Sequence, residues 1–217
     1  MRFVLACVAV LATLLPAAPA RALDFETCTK VEMERIHAAV DGALTMSAAA
    51  AAAVGDDETY GRWFGRYSAR NAEEVRNSLK AVHDALLRDE LYLICMNDGF
   101  DGCKDGTYAY VYRDEPYRIY LCPSFHFLPG MFEYDNTADE MENGTREGTI
   151  IHELSHFEAV AGTDDNCYAR SVCSSEARRQ PGLVIRNADS FQYYAEDIAV
   201  LPVPGGAILI RTGRLRR

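Results

Sequence analysis

The chemistry of this 217-residue chain is concentrated between Thr149 and Tyr168. His152-Glu153-Leu154-Ser155-His156 has the form H-E-x-x-H. On a helix, residues four apart lie one turn apart on the same face, so His152 and His156 can present ring nitrogens to one ion. Two imidazoles in that arrangement suit zinc, with bonds of about 2.0–2.1 Å. Glu153 then stands beside the ion without ligating it, where a general base for an activated water is required. A helix here is predicted from the apolar face of Ile150, Ile151, Leu154 and Phe157, with Gly162 as its stop just past Val160 and Ala161.

A catalytic zinc takes three protein ligands and keeps a fourth position open. No histidine follows His156, so a third ligand must be of another type. Asp165 lies nine residues beyond His156, in Gly162-Thr163-Asp164-Asp165-Asn166-Cys167-Tyr168, and a turn at Gly162 would bring its carboxylate back to the ion. By itself H-E-x-x-H recurs by chance on surface helices.

H-E-x-x-H followed by G-T-x-D-x-x-Y resembles the aspzincins, the deuterolysin and peptidyl-Lys metalloendopeptidase family. The resemblance is specific from Tyr117 to Glu196 and looser back to Cys28. It implies a secreted zinc endopeptidase of α+β class, with a zincin-like fold that is mainly helical and carries a small sheet beside the zinc helix. It implies one zinc per chain held by His152, His156 and Asp165, with Glu153 as base and Tyr168 stabilising the oxyanion. The family has Gly after this Tyr and this chain has Ala169, so the turn there must seat a side chain where Gly would allow φ > 0 freely. Asn187-Ala188-Asp189 and Phe191 to Glu196 also resemble the family. In its lysine-specific members an Asp and a Glu bind the substrate ammonium, and those positions are Asp189 and Gln192 here. The expectation is therefore a preference for a basic residue, Lys first, on the carboxyl side of the cut, looser than with two carboxylates. Two alternatives stand beside this reading. One takes Glu196 as third ligand in a gluzincin-like site; the other is a secreted, disulfide-stabilised binding protein that keeps the scaffold without turnover.

The elements that must position these residues are partly legible. Residues 31–53 read as a helix through Val31, Met33, Ile36, Val40, Leu44 and the Ala48–Ala53 run. Asn71 to about Arg88 reads as a second, with Ala72, Val75, Leu79, Val82 and Leu86 on one stripe. His37 and His83 fall in these helices, away from the motif. Tyr108–Tyr112 and Tyr117–Cys122, with Arg113-Asp114-Glu115-Pro116 as turn, read as a β-hairpin whose edge could take a peptide as an added strand. Residues 123–147 read as an irregular connection shaping the cleft, with His126 as a loop histidine and Asn143-Gly144-Thr145 matching a glycosylation acceptor.

At the N-terminus, Met1-Arg2, the apolar run Phe3–Leu15 and Ala20-Arg21-Ala22 read as a signal peptide over residues 1–22. The peptidase domain is expected over 23–200 and a C-terminal tail over 201–217. The run is too short to span a bilayer, and no later stretch reads as apolar enough to do so. Loss of Arg2 and Arg21 takes the formal charge from −10 to −12, a poor match for nucleic acid or anionic membrane. The expected partners are protein or peptide substrates, and the expected state is a monomer. Cys28, Cys95, Cys103, Cys122, Cys167 and Cys173 remain, an even set that reads as three disulfides in an oxidising compartment, with about 15 pairings open to sequence alone. The family resemblance implies Cys28–Cys95 and Cys103–Cys122, leaving Cys167–Cys173 as a clip over the loop of Asp165 and Tyr168.

Overall fold

A computed structural model describes residues 23–88, 90–99, 101–104, 106–132 and 141–200; the expected signal peptide and C-terminal tail lie outside them. In chain order the elements are β1 (Leu23–Glu26), α1 (Lys30–Ala53), α2 (Glu58–Phe64), α3 (Ala69–Leu86), β2 (Leu91–Cys95), β3 (Ala109–Tyr110), β4 (Arg118–Leu121), α4 (Arg146–His156), α5 (Arg170–Arg179), α6 (Pro181–Val184) and α7 (Ala188–Val200). This is the expected α+β arrangement: mainly helical, with one small mixed sheet.

Helix α1 starts at a capping box, in which the Thr29 hydroxyl accepts from Glu32 N–H and the Glu32 carboxylate accepts from Thr29 N–H at 2.7 Å. Its apolar side buries Ile36, Val40, Ala43, Met46 and Ala50. Contrary to the sequence expectation, α1 is long and apolar enough to cross a membrane. Here half of its most apolar window is buried, against α3, α4 and α7. The alanines permit that close approach because they have little side chain to hold helices apart.

The sheet has the order β1-β2-β4-β3, with β1, β2 and β4 parallel and β3 antiparallel to β4. Leu93 pairs with both Phe25 and Ile119, and Tyr110 pairs with Tyr120. Leu91, Leu93, Ile119 and Leu121 are buried on the helix-facing side. The predicted hairpin is β3–β4, shorter than read, and β3 is an edge. Residues 123–147 are less irregular than read: a 3-10 turn covers Pro123–Phe127, and α4 begins at Arg146.

Helix α4 is the central element, and every residue in it is buried. Thr145 caps it, its hydroxyl accepting from Gly148 N–H at 3.0 Å. A Cβ on Gly148 would lie 2.0 Å from Glu196 Oε1, so glycine is what lets α4 and α7 approach. The helix ends at His156, not at Ala161; Gly162, with φ +58°, instead shapes the turn that follows. Three disulfides close Cys28–Cys95, Cys103–Cys122 and Cys167–Cys173, the pairing the resemblance implied.

Candidate metal centre

Helix α4 delivers His152 and His156 from consecutive turns to the floor of a cleft of about 760 Å³. Their Nε2 atoms are 3.0 Å apart, and Asp165 Oδ1 lies 3.3 Å from each. For a tetrahedral ion with bonds of about 2.0–2.1 Å, neighbouring donors sit about 3.3–3.4 Å apart. The three donors therefore fit one small metal ion.

The second nitrogen of each ring fixes the tautomer. His152 Nδ1 meets Asp189 Oδ1 at 2.8 Å, and His156 Nδ1 meets the Thr163 carbonyl at 3.0 Å. Carboxylates and carbonyls only accept, so both Nδ1 atoms carry the proton and both Nε2 atoms present lone pairs. Two lone pairs and a carboxylate oxygen facing one another at 3 Å need a cation among them. Burial opposes charge on His152, yet Asp165 and Asp189 hold its pKa well above the ordinary range. For Asp165 burial pulls upward, yet positive charge on the imidazole side, the state in which an Nε2 carries a proton to donate to it, drives its carboxyl far below the usual carboxylate range. The site thus binds positive charge, and its spacing matches a metal.

Asp164 takes no part. Its Oδ1 pairs with Arg113 at 2.6 Å on the outer side, which leaves Asp165 to turn inward. Glu153 lies in the cleft wall outside the donor triad and is 4% exposed. Burial raises its pKa, with the carboxylates of Asp165 and Asp189 adding and the imidazoles opposing. Tyr168 is open to solvent, its ring stacked over His152 at 6.5 Å and its hydroxyl in hydrogen-bonding reach of Asp165. Burial and Asp165 together raise its pKa, so it remains a proton donor. Ala169 does adopt positive φ, +67°, as a glycine would.

Asp189 and Gln192 both line the cleft, but both are nearly buried. The Asp189 carboxylate accepts from His152 Nδ1–H at 2.8 Å and from Ala169 N–H at 3.0 Å. Ligating histidines are held by such partners on their other nitrogen. This positioning contact was not read from the sequence. Thr163 was missed too, since a backbone carbonyl leaves no signature in residue type.

Glu196, the alternative third ligand, is not in the donor cluster. It accepts from Thr145 N–H and O–H at 2.8 Å each and pairs with Arg170 at 2.6 Å, so it holds the start of α4 instead. His126 is buried and faces Glu32 at 3.6 Å, outside the cluster of His152, His156 and Asp165. His83 is bonded to Leu44 O and Ser47, and His37 packs on Phe25; neither joins the centre.

Residues 49–196 match the sequence profile of the family described as lysine-specific metallo-endopeptidase, the aspzincins. The chain is 34% identical over 187 residues to an extracellular protease of Aeromonas hydrophila, a match covering 84% of this chain and 49% of that protein. It is 32% identical over 139 residues to a peptidyl-Lys metalloendopeptidase of Armillaria mellea, covering 64% and 35% respectively. It thus spans about half or less of the length of these two relatives. Among solved structures, a zinc peptidase from Grifola frondosa superposes with a TM-score of 0.66 at 25% identity, over 78% of this chain and 97% of that one.

Proposed function

This chain belongs to the lysine-specific metallo-endopeptidase family of aspzincins, and on that premise we propose that it is an exported zinc-dependent endopeptidase. The observation that carries the proposal is the facing of two Nε2 lone pairs and one Asp165 oxygen at 3.0–3.3 Å, with the unligated Glu153 beside them. His152, His156 and Asp165 would hold one zinc, which when bound supplies a Lewis acid able to acidify water and polarise a carbonyl.

The chain's own groups do the rest. Glu153, buried and with a raised pKa, takes the proton of the attacking water and passes it to the departing amine. Tyr168 donates its hydroxyl hydrogen toward the oxyanion that develops on the scissile carbonyl. Edge strand β3, Ala109–Tyr110, offers backbone groups along the cleft to an extended peptide.

The finer reading is a preference for Lys on the carboxyl side of the cut. It is supported by Asp189 in the cleft and by the name of the Armillaria relative. The preference is loose, because both Asp189 oxygens already accept hydrogen bonds, Gln192 is uncharged, and Glu196 is neutralised by Arg170. Export is supported by the signal-like residues 1–22, the three disulfides and the extracellular relative.

Metal content tests the proposal. Asp165→Ala should lose zinc and Glu196→Gln should keep it; zinc retained by Asp165→Ala and lost from Glu196→Gln would overturn the ligand set. Cut sites mapped by mass spectrometry in a denatured protein digest test the specificity. Gln192→Glu should sharpen the Lys preference, and cuts indifferent to basic residues in both proteins would remove it.

A further inference from the structure

We infer that Asn187 is a positioning residue for the third metal ligand, its side-chain amide fixing the Asp164–Cys167 loop so that Asp165 meets the two imidazoles. The inference rests on the reading of Asp165 as a ligand. Asp165 comes from a loop, not from a helix or a named strand, and its side chain is 36% exposed. A ligand on such a segment stays within about 0.5 Å of its working position only if its backbone is held by other groups.

Asn187 supplies that hold. It is 0% exposed, and its Oδ1 accepts from Asn166 N–H at 2.7 Å and from Cys167 N–H at 3.0 Å, the two amides immediately after Asp165. On the other side, Asp164 N–H donates to Arg186 O at 2.7 Å and Ala188 N–H donates to Asp164 O at 3.0 Å, a parallel bridge between Asp164 and Asn187. Asp165 is therefore clamped before and after by residues 186–188. The Asn187 amide nitrogen faces Ser190 Oγ at 3.3 Å and a Cys173 sulfur at 3.7 Å, which sets the oxygen toward the loop. Two residues on, Asp189 accepts from His152. The start of α7 thus governs two of the three donors, one through a loop backbone and one through a ring nitrogen.

The chemistry demands an acceptor of this length. Alanine at 187 would leave both loop amides unpaired, whereas aspartate would keep an oxygen in the same place.

Zinc affinity of the full chain, measured by competition with a chromophoric chelator, tests this alongside thermal melting. Asn187→Ala should bind zinc about 10–100-fold more weakly, as loss of outer partners does elsewhere, and Asn187→Asp should stay within about threefold of the parent. An Asn187→Ala protein that binds zinc like the parent but melts lower would reduce Asn187 to a structural role and overturn the inference. Equal weakening in both variants would overturn it too, since the acceptor oxygen would not be what counts. Asp165→Ala separates the premise: if it keeps zinc, the ligand assignment fails first. Should neither Asn187 variant fold, hydrogen exchange on the unmodified chain decides. The Asn166 and Cys167 amides should stay protected after chelation, and protection lost with the zinc would mean that the metal orders the loop.

Discussion

Replacing Asp189 by Asn removes a charge and leaves the shape. The carboxylate accepts from two donors, one on each oxygen: His152 Nδ1–H at 2.8 Å and Ala169 N–H at 3.0 Å. Asparagine has one acceptor oxygen and turns a donating NH2 toward the other side, so at least one of these donors loses its partner. A charge-assisted hydrogen bond contributes about 1.5–3 kcal/mol and a neutral one about 0.5–1.5 kcal/mol, so the His152 contact alone weakens by about 1–2 kcal/mol. At 5% exposure an orphaned donor adds a desolvation cost of about 1–3 kcal/mol. Zinc held through His152 should therefore bind at least about tenfold more weakly in Asp189→Asn. The assay is chelator competition, paired with cut-site mapping at saturating zinc. Zinc affinity within about twofold of the parent would refute the outer-partner argument. A changed cut-site pattern with unchanged affinity would assign Asp189 to substrate alone.

Two further substitutions act away from the ligands. Burial raises the Glu147 carboxyl from an ordinary 4.5 to about 7, against the opposing Met131 N–H and Arg146. The fold then favours its protonated form, so Glu147 lowers stability increasingly as pH rises from 4.5 to 7 and fully above that. The gap corresponds to roughly 3 kcal/mol, so Glu147→Gln should raise stability by about 2–3 kcal/mol more at pH 8 than at pH 5 in chemical denaturation; equal gains at both would count against it. Ala169 at φ +67° and ψ 147° sits where a side chain costs about 1–3 kcal/mol, partly offset by the flexibility of unfolded glycine. Ala169→Gly should raise Tm by about 2–4 °C, and a lower Tm would show that the turn is not strained.

The parts of this protein written in short-range pattern were legible in the sequence. H-E-x-x-H placed both histidines, the Leu79-type stripe placed α3, and the Asp165 and Tyr168 positions came from the resemblance of Gly162–Tyr168. What escaped was non-local. Leu91–Cys95 is a short apolar run without alternation, and its strand character comes from parallel partners some 25 and 70 residues away. Helix α5 is almost wholly polar, Arg170–Arg179, and is anchored by Arg170 reaching Glu196 and Asp197. The first turn of α4, Arg146-Glu147-Gly148, looks like loop composition; it is buried because Glu147 and Arg146 bond to Met131 and Leu128. Asn187 and Asp189 stood out in the sequence only as a resemblance, and their contacts with the loop and with His152 exist only once α7 lies on α4.

Glu153→Gln separates zinc binding from turnover, because glutamine keeps the volume beside the ligands and cannot act as the base. Native mass spectrometry and cleavage of a denatured protein should be measured on the same preparation. One zinc per chain is expected, with cleavage reduced by about 10²–10⁴-fold or more. A Glu153→Gln protein that binds zinc and still cleaves at the parental rate would contradict the assignment of Glu153 as the base.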